Sequence, residues 1–287
     1  MIDLHTHSTV SDGSELPERI PELAAIAGCT AVALTDHDSL AGLDAAEVTA
    51  RQHGITLIRG CEVSCRSGLS GAGPGRSPSM HVLVYFLEGD DGPLQHELVA
   101  LRRDRVARNR ALVDRLAGLG VTVDYDRLVA EAGGEDGLGR PHVARALVEM
   151  HVAQDMSDAF DRWLGEQGAA YVPKARLGPV EVATLARGSS AVAVLAHPLS
   201  IGLRGAALEQ VVAELAAAGF SGIEAIYSRY TPDDRRALRA MAERSGLVAT
   251  GGSDFHGSFK PDLSVGTGQG DLDVPHSVVE ALAARRP

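Results

Sequence analysis

The sequence predicts an α/β fold, a βα barrel interrupted by a helical insertion. Three observations predict it. Short apolar strands alternate with helix-length segments at both ends of the chain. That rhythm breaks between about Leu98 and Gly178, where the pattern is almost wholly helical. Two pairs of metal-competent side chains with one-residue spacing, His5-x-His7 and Asp254-x-His256, stand near opposite ends of the sequence. Alternate residues on a strand share a face, so each pair points one way. Two such pairs converge most simply where a barrel closes on itself.

Met1 to Leu4 opens as a strand, and Ser8 to Gly13 is the loop after it. Pro17 to Ala27 is helix-like, and Ala31 to Thr35 is an apolar strand ending in Asp36-His37-Asp38. Leu43 to His53 is helical and stops at Gly54, a residue suited to the left-handed helix end. Ile55 to Ile58 is a strand leading into Gly60-Cys61-Glu62, and Ser67 to Ser79 is a Gly, Ser and Pro-rich loop. His81 to Phe86 is the next strand, with His81 at its start. The strand pattern resumes at Ala191 to Ala196, ending in His197-Pro198, then Ile223 to Tyr227 and Leu247 to Thr250. Pro275 to Pro287 reads as a final helix. The barrel is therefore assigned to residues 1–97 and 181–287, and an inserted helical cap to 98–180.

Composition bounds the function. Hydrophobic residues make up 45%, enough for a full core. No apolar run is long enough for a membrane span, and no signal peptide is expected at the start. Three cysteines, Cys29, Cys61 and Cys65, do not form a disulfide framework, so a reducing cytoplasm is expected. Cys61 and Cys65 lack a second pair with which to build a zinc site, and buried thiols are the simpler reading. The net charge of −11 argues against a broad nucleic-acid-binding surface. Residues 98–180 hold 12 basic and 12 acidic side chains, so the barrel segments carry the whole excess. A neutral, Arg-rich insertion on an acidic body suits a small anionic substrate. No obligate protein partner is evident.

The chemistry gathers at strand ends. His5, His7, Asp12, His37, Glu62, His197, Asp254 and His256 all fall just after a strand, and His81 falls at the start of one. In βα barrels the loops after the strands share one face, where sites are built. Imidazole and carboxylate donors suit manganese, zinc or iron(II). Nine donors exceed the needs of one ion. Two or three divalent ions are expected, manganese first, with Glu62 as the bridging carboxylate. Such clusters hydrolyse phosphate esters: they polarise the phosphoryl oxygens, and a metal-bound hydroxide attacks in line.

The strings Asp3-Leu4-His5-Thr6-His7-Ser8, Thr35-Asp36-His37-Asp38, Gly60-Cys61-Glu62-Val63-Ser64, Ala196-His197-Pro198 and Gly252-Ser253-Asp254-Phe255-His256 resemble the motifs of the PHP (polymerase and histidinol phosphatase) family. The resemblance implies a distorted (β/α)7 PHP barrel with an inserted helical cap domain and a trinuclear site. It implies that His5, His7, Glu62 and Asp254 hold one ion. Glu62, His81 and His197 would hold a second, and Asp12, His37 and His256 a third. Catalysis through that cluster would fall to Glu62, His197 and Asp254. The sequence departs from the family in its Gly-rich loop, Ser67 to Ser79, beside His81.

The insertion narrows the substrate. Leu98 to Leu116 carries six Arg and two Asp. Leu98, Leu101, Arg105, Arg108, Leu112 and Leu116 fall on one helical face, with Asn109 at its edge. Arginines inside an apolar stripe either snorkel, pair with acids of the insertion, or aim a guanidinium fork at phosphate. Gly139-Arg140-Pro141-His142 opens the next helix, and a helix start preceded by Arg is an anion site. Tyr171-Val172-Pro173-Lys174 closes the insertion. These strings resemble the capped, YciV-like PHP subfamily, which includes nucleoside 3′,5′-bisphosphate phosphatases and 5′-to-3′ exoribonucleases. That resemblance makes Arg140, Lys174, Arg108 and Asn109 phosphate contacts and Tyr227 either a base or sugar contact or a packing residue. The expected function is removal of the 3′-phosphate from nucleoside 3′,5′-bisphosphates, with 5′-to-3′ trimming of short RNA 5′ ends. The alternatives are a histidinol-phosphate phosphatase or another small phosphomonoesterase, and a non-catalytic metal or nucleotide-binding module.

Overall fold

The computed structural model describes residues 1–66, 80–135, 137–173 and 175–287. The Gly-rich loop, Ser67 to Ser79, and Lys174 lie outside the described residues. In chain order the elements are β1 (Ile2–Asp3), α1 (Arg19–Ile26), β2 (Ala31–Leu34), α2 (Leu43–His53), β3 (Thr56–Cys65), β4 (Met80–Tyr85) and α3 (Pro93–Gly118). Then follow α4 (Tyr125–Glu131), α5 (Arg140–Glu149), α6 (Met156–Ala159), α7 (Pro179–Gly188), β5 (Val192–Leu195), α8 (Gly205–Ala217), β6 (Gly222–Tyr227), α9 (Pro232–Arg244), β7 (Val248–Gly252) and α10 (Ser277–Ala283). Two compact units result, Met1–Leu98 with Arg176–Pro287, and Val99–Ala175.

In the first unit the seven strands pair in sequence order. β1, β2 and β3 are parallel, as are β5, β6 and β7. β7 returns to β1 through the Leu4 N–H donating to Gly251 O at 3.3 Å and a parallel Thr6–Phe255 bridge, which brings the seven strands round as a barrel. Gly252 has no room for a side chain, since a Cβ there would run into His5. Leu4, Leu83, Val194 and Ile226 fill the barrel interior with others of the same buried cluster. Each such side chain contributes about 1.5–3 kcal/mol on burial.

β4 is the exception, and it changes how His81 is understood. It runs antiparallel to both β3 and β5, so its first residues lie at the end where its neighbours finish. Ser64 sits opposite His81 in that ladder. A histidine at the start of a reversed strand thus shares an end with those that follow forward strands. β3 also differs from expectation. It continues past Gly60 to Cys65, so Glu62 lies within the strand instead of after it. Gly60 permits the continuation because a Cβ there would meet Val84 O at 2.9 Å.

The second unit has its own core, in which Leu112 and Leu116 of α3, Val143 and Leu147 of α5, and Leu164 pack together. Among the described residues no helix is long and apolar enough to cross a membrane.

Candidate metal centre

Glu62 is the hub. It is 1% exposed, and its two oxygens face different partners. Oε1 lies 2.8 Å from His81 Nδ1 and 2.9 Å from His197 Nε2. Oε2 lies 3.1 Å from His5 Nε2, 3.1 Å from His7 Nε2 and 3.4 Å from His37 Nε2. A carboxylate that divides its oxygens between two imidazole sets has the form of a bridge. Asp254 Oδ1 faces His5 Nε2 at 3.6 Å and His7 Nε2 at 3.4 Å. Asp12 closes the third side, with Oδ1 at 3.3 Å from His256 Nε2 and Oδ2 at 3.7 Å from His37 Nε2.

Three donor groups each gather within the reach of one ion: His7, Asp12, His37 and His256; His5, His7 and Asp254; and His37, Glu62 and His81. Eight of the nine sequence-selected donors fall in these groups, and the ninth, His197, lies against Glu62 Oε1 at 2.9 Å. Their partition is less tidy than the resemblance implies, because His7 and His37 each stand in two groups and His197 stands in none.

The electrostatics fit divalent cations. Glu224 Oε1 lies 2.9 Å from His5 Nδ1 and can only accept, so Nδ1 carries the proton. Nε2 of the same ring faces Glu62 Oε2 and His7 Nε2, both 3.1 Å away. Such an arrangement needs positive charge between the atoms. Burial pushes His5 and His7 down; Glu224, Glu62 and Asp254 outweigh it at His5, raising it well above its usual range, and Asp254 and Glu62 outweigh it at His7, raising it to about 9. Burial pushes Glu62 and Asp254 up, and the surrounding imidazoles outweigh that too, holding both carboxyls well below the usual range. Burial lowers His37 to about 4, and its Nδ1 is a buried atom with no described partner. The thiols take no part: Cys61 and Cys65 are buried, and their sulfurs face backbone carbonyls.

The PHP domain model matches residues 3–164. This chain belongs to the PHP family. It is 32% identical over 256 residues to a 5′-3′ exoribonuclease of Haemophilus influenzae, covering 88% of this chain and 89% of that one. It is 29% identical over 276 residues to a 3′,5′-nucleoside bisphosphate phosphatase of Chromobacterium violaceum, covering 96% and 91%. A solved structure from Bifidobacterium adolescentis, assigned as a metal-dependent phosphoesterase, superposes with a TM-score of 0.76 at 28% identity, over 100% of this chain and 96% of the other.

The PHP barrel of this chain also uses residues that the sequence reading passed over. Glu224, fully buried on β6, accepts from His5 Nδ1 with one oxygen and from the His197 backbone N–H, at 2.7 Å, with the other. Its signal was a lone charge inside the apolar run Ile223-Glu224-Ala225-Ile226. Lys260 Nζ, at 2.5 Å, and Tyr227 OH, at 2.7 Å, both donate to Asp254 Oδ2, leaving Oδ1 to the imidazoles. Asp36 accepts from the Ser8 N–H at 2.8 Å and from Ser11 Oγ at 2.6 Å, fixing the loop that carries Asp12. Asp254 and His197 have positive φ, 55° and 22°. Such backbone costs about 1–3 kcal/mol and gathers at functional sites.

In the insertion, Arg108 and Asn109 are buried on α3, and Asn109 Nδ2 donates to Leu138 O at 2.8 Å. That bond braces the turn into α5. Arg140 Nη1 donates to Leu164 O at 3.1 Å, and its guanidinium lies 6.0 Å from the Tyr171 ring centre. His142 Nδ1 accepts from the Gly139 N–H at 3.2 Å, so this histidine caps its own helix. Tyr227 is 8% exposed, with its hydroxyl on Asp254.

Proposed function

We propose that this chain is a metal-dependent phosphoric ester hydrolase that removes the 3′-phosphate of nucleoside 3′,5′-bisphosphates and trims 5′-phosphorylated RNA. The observation that carries the reading is Glu62, buried, with one oxygen towards His81 and His197 and the other towards His5, His7 and His37. His5, His7, Glu62 and Asp254, then Glu62, His81 and His197, then Asp12, His37 and His256 are assigned as ligand sets. Manganese is the first candidate, with zinc or iron as alternatives. Bound there, the ions would draw charge from the phosphoryl oxygens and acidify a water.

The residues of the chain do the rest. Glu224, Lys260 and Tyr227 hold His5 and Asp254 in orientation. We assign the insertion, residues 98–180, as a substrate-binding cap. Its Arg140, Arg108 and Asn109, with Lys174, are assigned to the phosphate that is not cleaved. The bisphosphate phosphatase and exoribonuclease names of the two relatives support this substrate class. A cytoplasmic location suits a nucleotide substrate and three reduced cysteines.

The test is phosphate release in Mn²⁺ from a nucleoside 3′,5′-bisphosphate, a nucleoside 3′-monophosphate and histidinol phosphate, side by side. The bisphosphate should lead by at least about tenfold, the worth of one charge-assisted contact. Preference for histidinol phosphate would transfer the chain to the alternative reading.

A further inference from the structure

The start of α5, in the insertion, is closed by a residue that titrates. Gly139 is the N-cap and has no side chain with which to accept from the first N–H groups of the helix. The bond runs backwards instead. The Gly139 N–H donates to His142 Nδ1 at 3.2 Å, and the His142 N–H donates to Gly139 O at 3.1 Å. Glutamate or glutamine is the usual residue at this third helical position, reaching back to the N-cap N–H. Neither takes up a proton near neutral pH, whereas an imidazole does. A backbone N–H can only donate, so Nδ1 carries no proton in this bond. Protonation sets two donors against each other. It also adds positive charge at a helix start, the end that is already partly positive.

Arg140 stands inside this loop of bonds, as the first residue of α5. Its Nη1 donates to Leu164 O at 3.1 Å. On the other side, Leu138 O accepts from Asn109 Nδ2 at 2.8 Å. Of the bonds at the Leu138-Gly139-Arg140 corner, the one to His142 is the one that titrates. Among the described residues, two charged side chains act on the His142 ring. They are Arg145, further along α5, and Glu131 of α4, which is itself taken up by Arg127 Nε at 2.6 Å. None from α3, α6 or the Phe160–Leu164 turn does so. Burial, then Arg145, holds the half-buried imidazole below its usual range. The unfolded chain therefore takes up this proton more readily than the folded one. The bond contributes fully above about pH 6.5 and is lost as pH falls below it.

We propose that His142 is a positioning residue for the anion held by the insertion: its neutral imidazole fixes Gly139, and through it Arg140, and uptake of a proton releases both. This rests on the assignment of Arg140 to the uncleaved phosphate. His142 touches neither that phosphate nor the metal ligands in this role. It acts on substrate binding alone, so its proton changes KM and leaves the chemical step to the metal centre. A glutamine in its place would hold the corner at every pH, so the histidine makes the grip on a second phosphate depend on acidity.

The test compares wild type, His142→Gln, His142→Ala and Arg140→Ala, each as the full chain with Mn²⁺, at about pH 7.5 and about pH 5.5, on either side of the ordinary histidine value. Proteins are compared at the same pH, so protonation of the metal ligands cancels between them. On a nucleoside 3′,5′-bisphosphate, the fall in pH should raise KM about threefold to tenfold more in wild type than in His142→Gln, the strength of one capping bond. The pH course of kcat should be the same in both. An aryl phosphate, which has no second phosphate, should show no such difference in KM. His142→Ala should have the raised KM already at pH 7.5. The single tryptophan of the chain, Trp163, adjoins Leu164, whose carbonyl holds Arg140. Its emission, without substrate, should show a step with pH in wild type that His142→Gln lacks. A pH course of KM shared by wild type and His142→Gln would overturn the proposal, with or without that step. So would wild-type KM in a folded His142→Ala protein. If either occurs while Arg140→Ala still raises KM, the phosphate assignment of Arg140 stands alone. If Arg140→Ala leaves KM unchanged, that assignment and the proposal fall together.

Discussion

Glu224→Gln should weaken metal binding although Glu224 is not among the nine donors. The carboxylate accepts two bonds, from His5 Nδ1 at 2.9 Å and from the His197 backbone N–H at 2.7 Å. Glutamine keeps one acceptor oxygen and places an NH₂ in the other position. That NH₂ must face either His5 Nδ1–H or the His197 N–H, donor against donor in a fully buried site. Losing one charge-assisted bond costs about 1.5–3 kcal/mol. Carboxylates that orient metal-binding histidines carry about 10–100-fold in metal affinity. We therefore expect roughly 30-fold weaker binding of the ion held by His5, within that range. Competition with a chromophoric chelator measures it, and thermal unfolding of the metal-free protein separates it from a folding defect. Glu224→Asp keeps the charge but is shorter by one methylene, so it cannot span both donors and should fall between. Wild-type metal affinity in a folded Glu224→Gln protein would refute the positioning role.

The other expectations follow from the same geometry. Elemental analysis of active protein should give at least two divalent ions, and Glu62→Gln should lose more than any other single ligand change, because both Glu62 oxygens face donor sets; one ion or none in active wild type would contradict the cluster. Chelation should lower Tm, since an ion at 100 times its Kd stabilises the folded chain by about 2.7 kcal/mol; an unchanged Tm would mean that no ion is bound in the folded state. In a single turnover in ¹⁸O water the label should appear in released phosphate, and a trapped covalent phosphoenzyme would exclude direct attack by water. Arg140→Ala should cost about 1.5–3 kcal/mol, or about tenfold to a hundredfold in kcat/KM, on a 3′,5′-bisphosphate and far less on an aryl phosphate; equal losses would remove Arg140 from recognition of the second phosphate.

Much of the barrel was legible because its strands are short, apolar and bounded by turn chemistry. The α2 end is a clear case: Gly54 takes the left-handed conformation, φ 66°, that its place after His53 required. The candidate donors stood out because a His or Asp at a strand end is conspicuous. Strand direction was not legible. Nothing in Met80 to Tyr85 says that β4 runs backwards, since apolar content carries no sense of direction. His81 therefore looked misplaced until the ladder with β3 showed which end it occupies. The end of β3 was obscured by Gly60, whose role lies in the close approach of Val84 O and not in its own propensity. Glu224 and Lys260 were missed because they act on other side chains instead of standing at a motif. Arg108 was singled out as an interruption of an apolar stripe and Asn109 as a residue at its edge, and both are buried on α3.

The residues missed share a physical task that explains why the site needs more acids than it has ligand positions. Loops after strands are free to move unless something ties them. Here buried carboxylates do the tying. Asp3 accepts from the His5, Ser253 and Gly266 backbone N–H groups, at 3.2, 2.9 and 2.8 Å, and so joins the end of β1 to the segments on either side of Asp254 and His256. Asp36 holds the Ser8–Ser11 turn. Asp38 accepts from the Ser64 N–H at 2.8 Å, linking the loop after His37 to the strand that bears Glu62. Glu224 links β6 to the β5 loop and to His5. Each of the four lies between segments that carry different donor residues, so each fixes a distance between them before any ion arrives. Pre-set distances matter more for a shared carboxylate than for a single-ion site, because Glu62 can bridge only if both imidazole sets are in place together. The acidic surplus of the barrel segments is thus partly internal scaffolding, which net charge alone could not distinguish from an acidic surface.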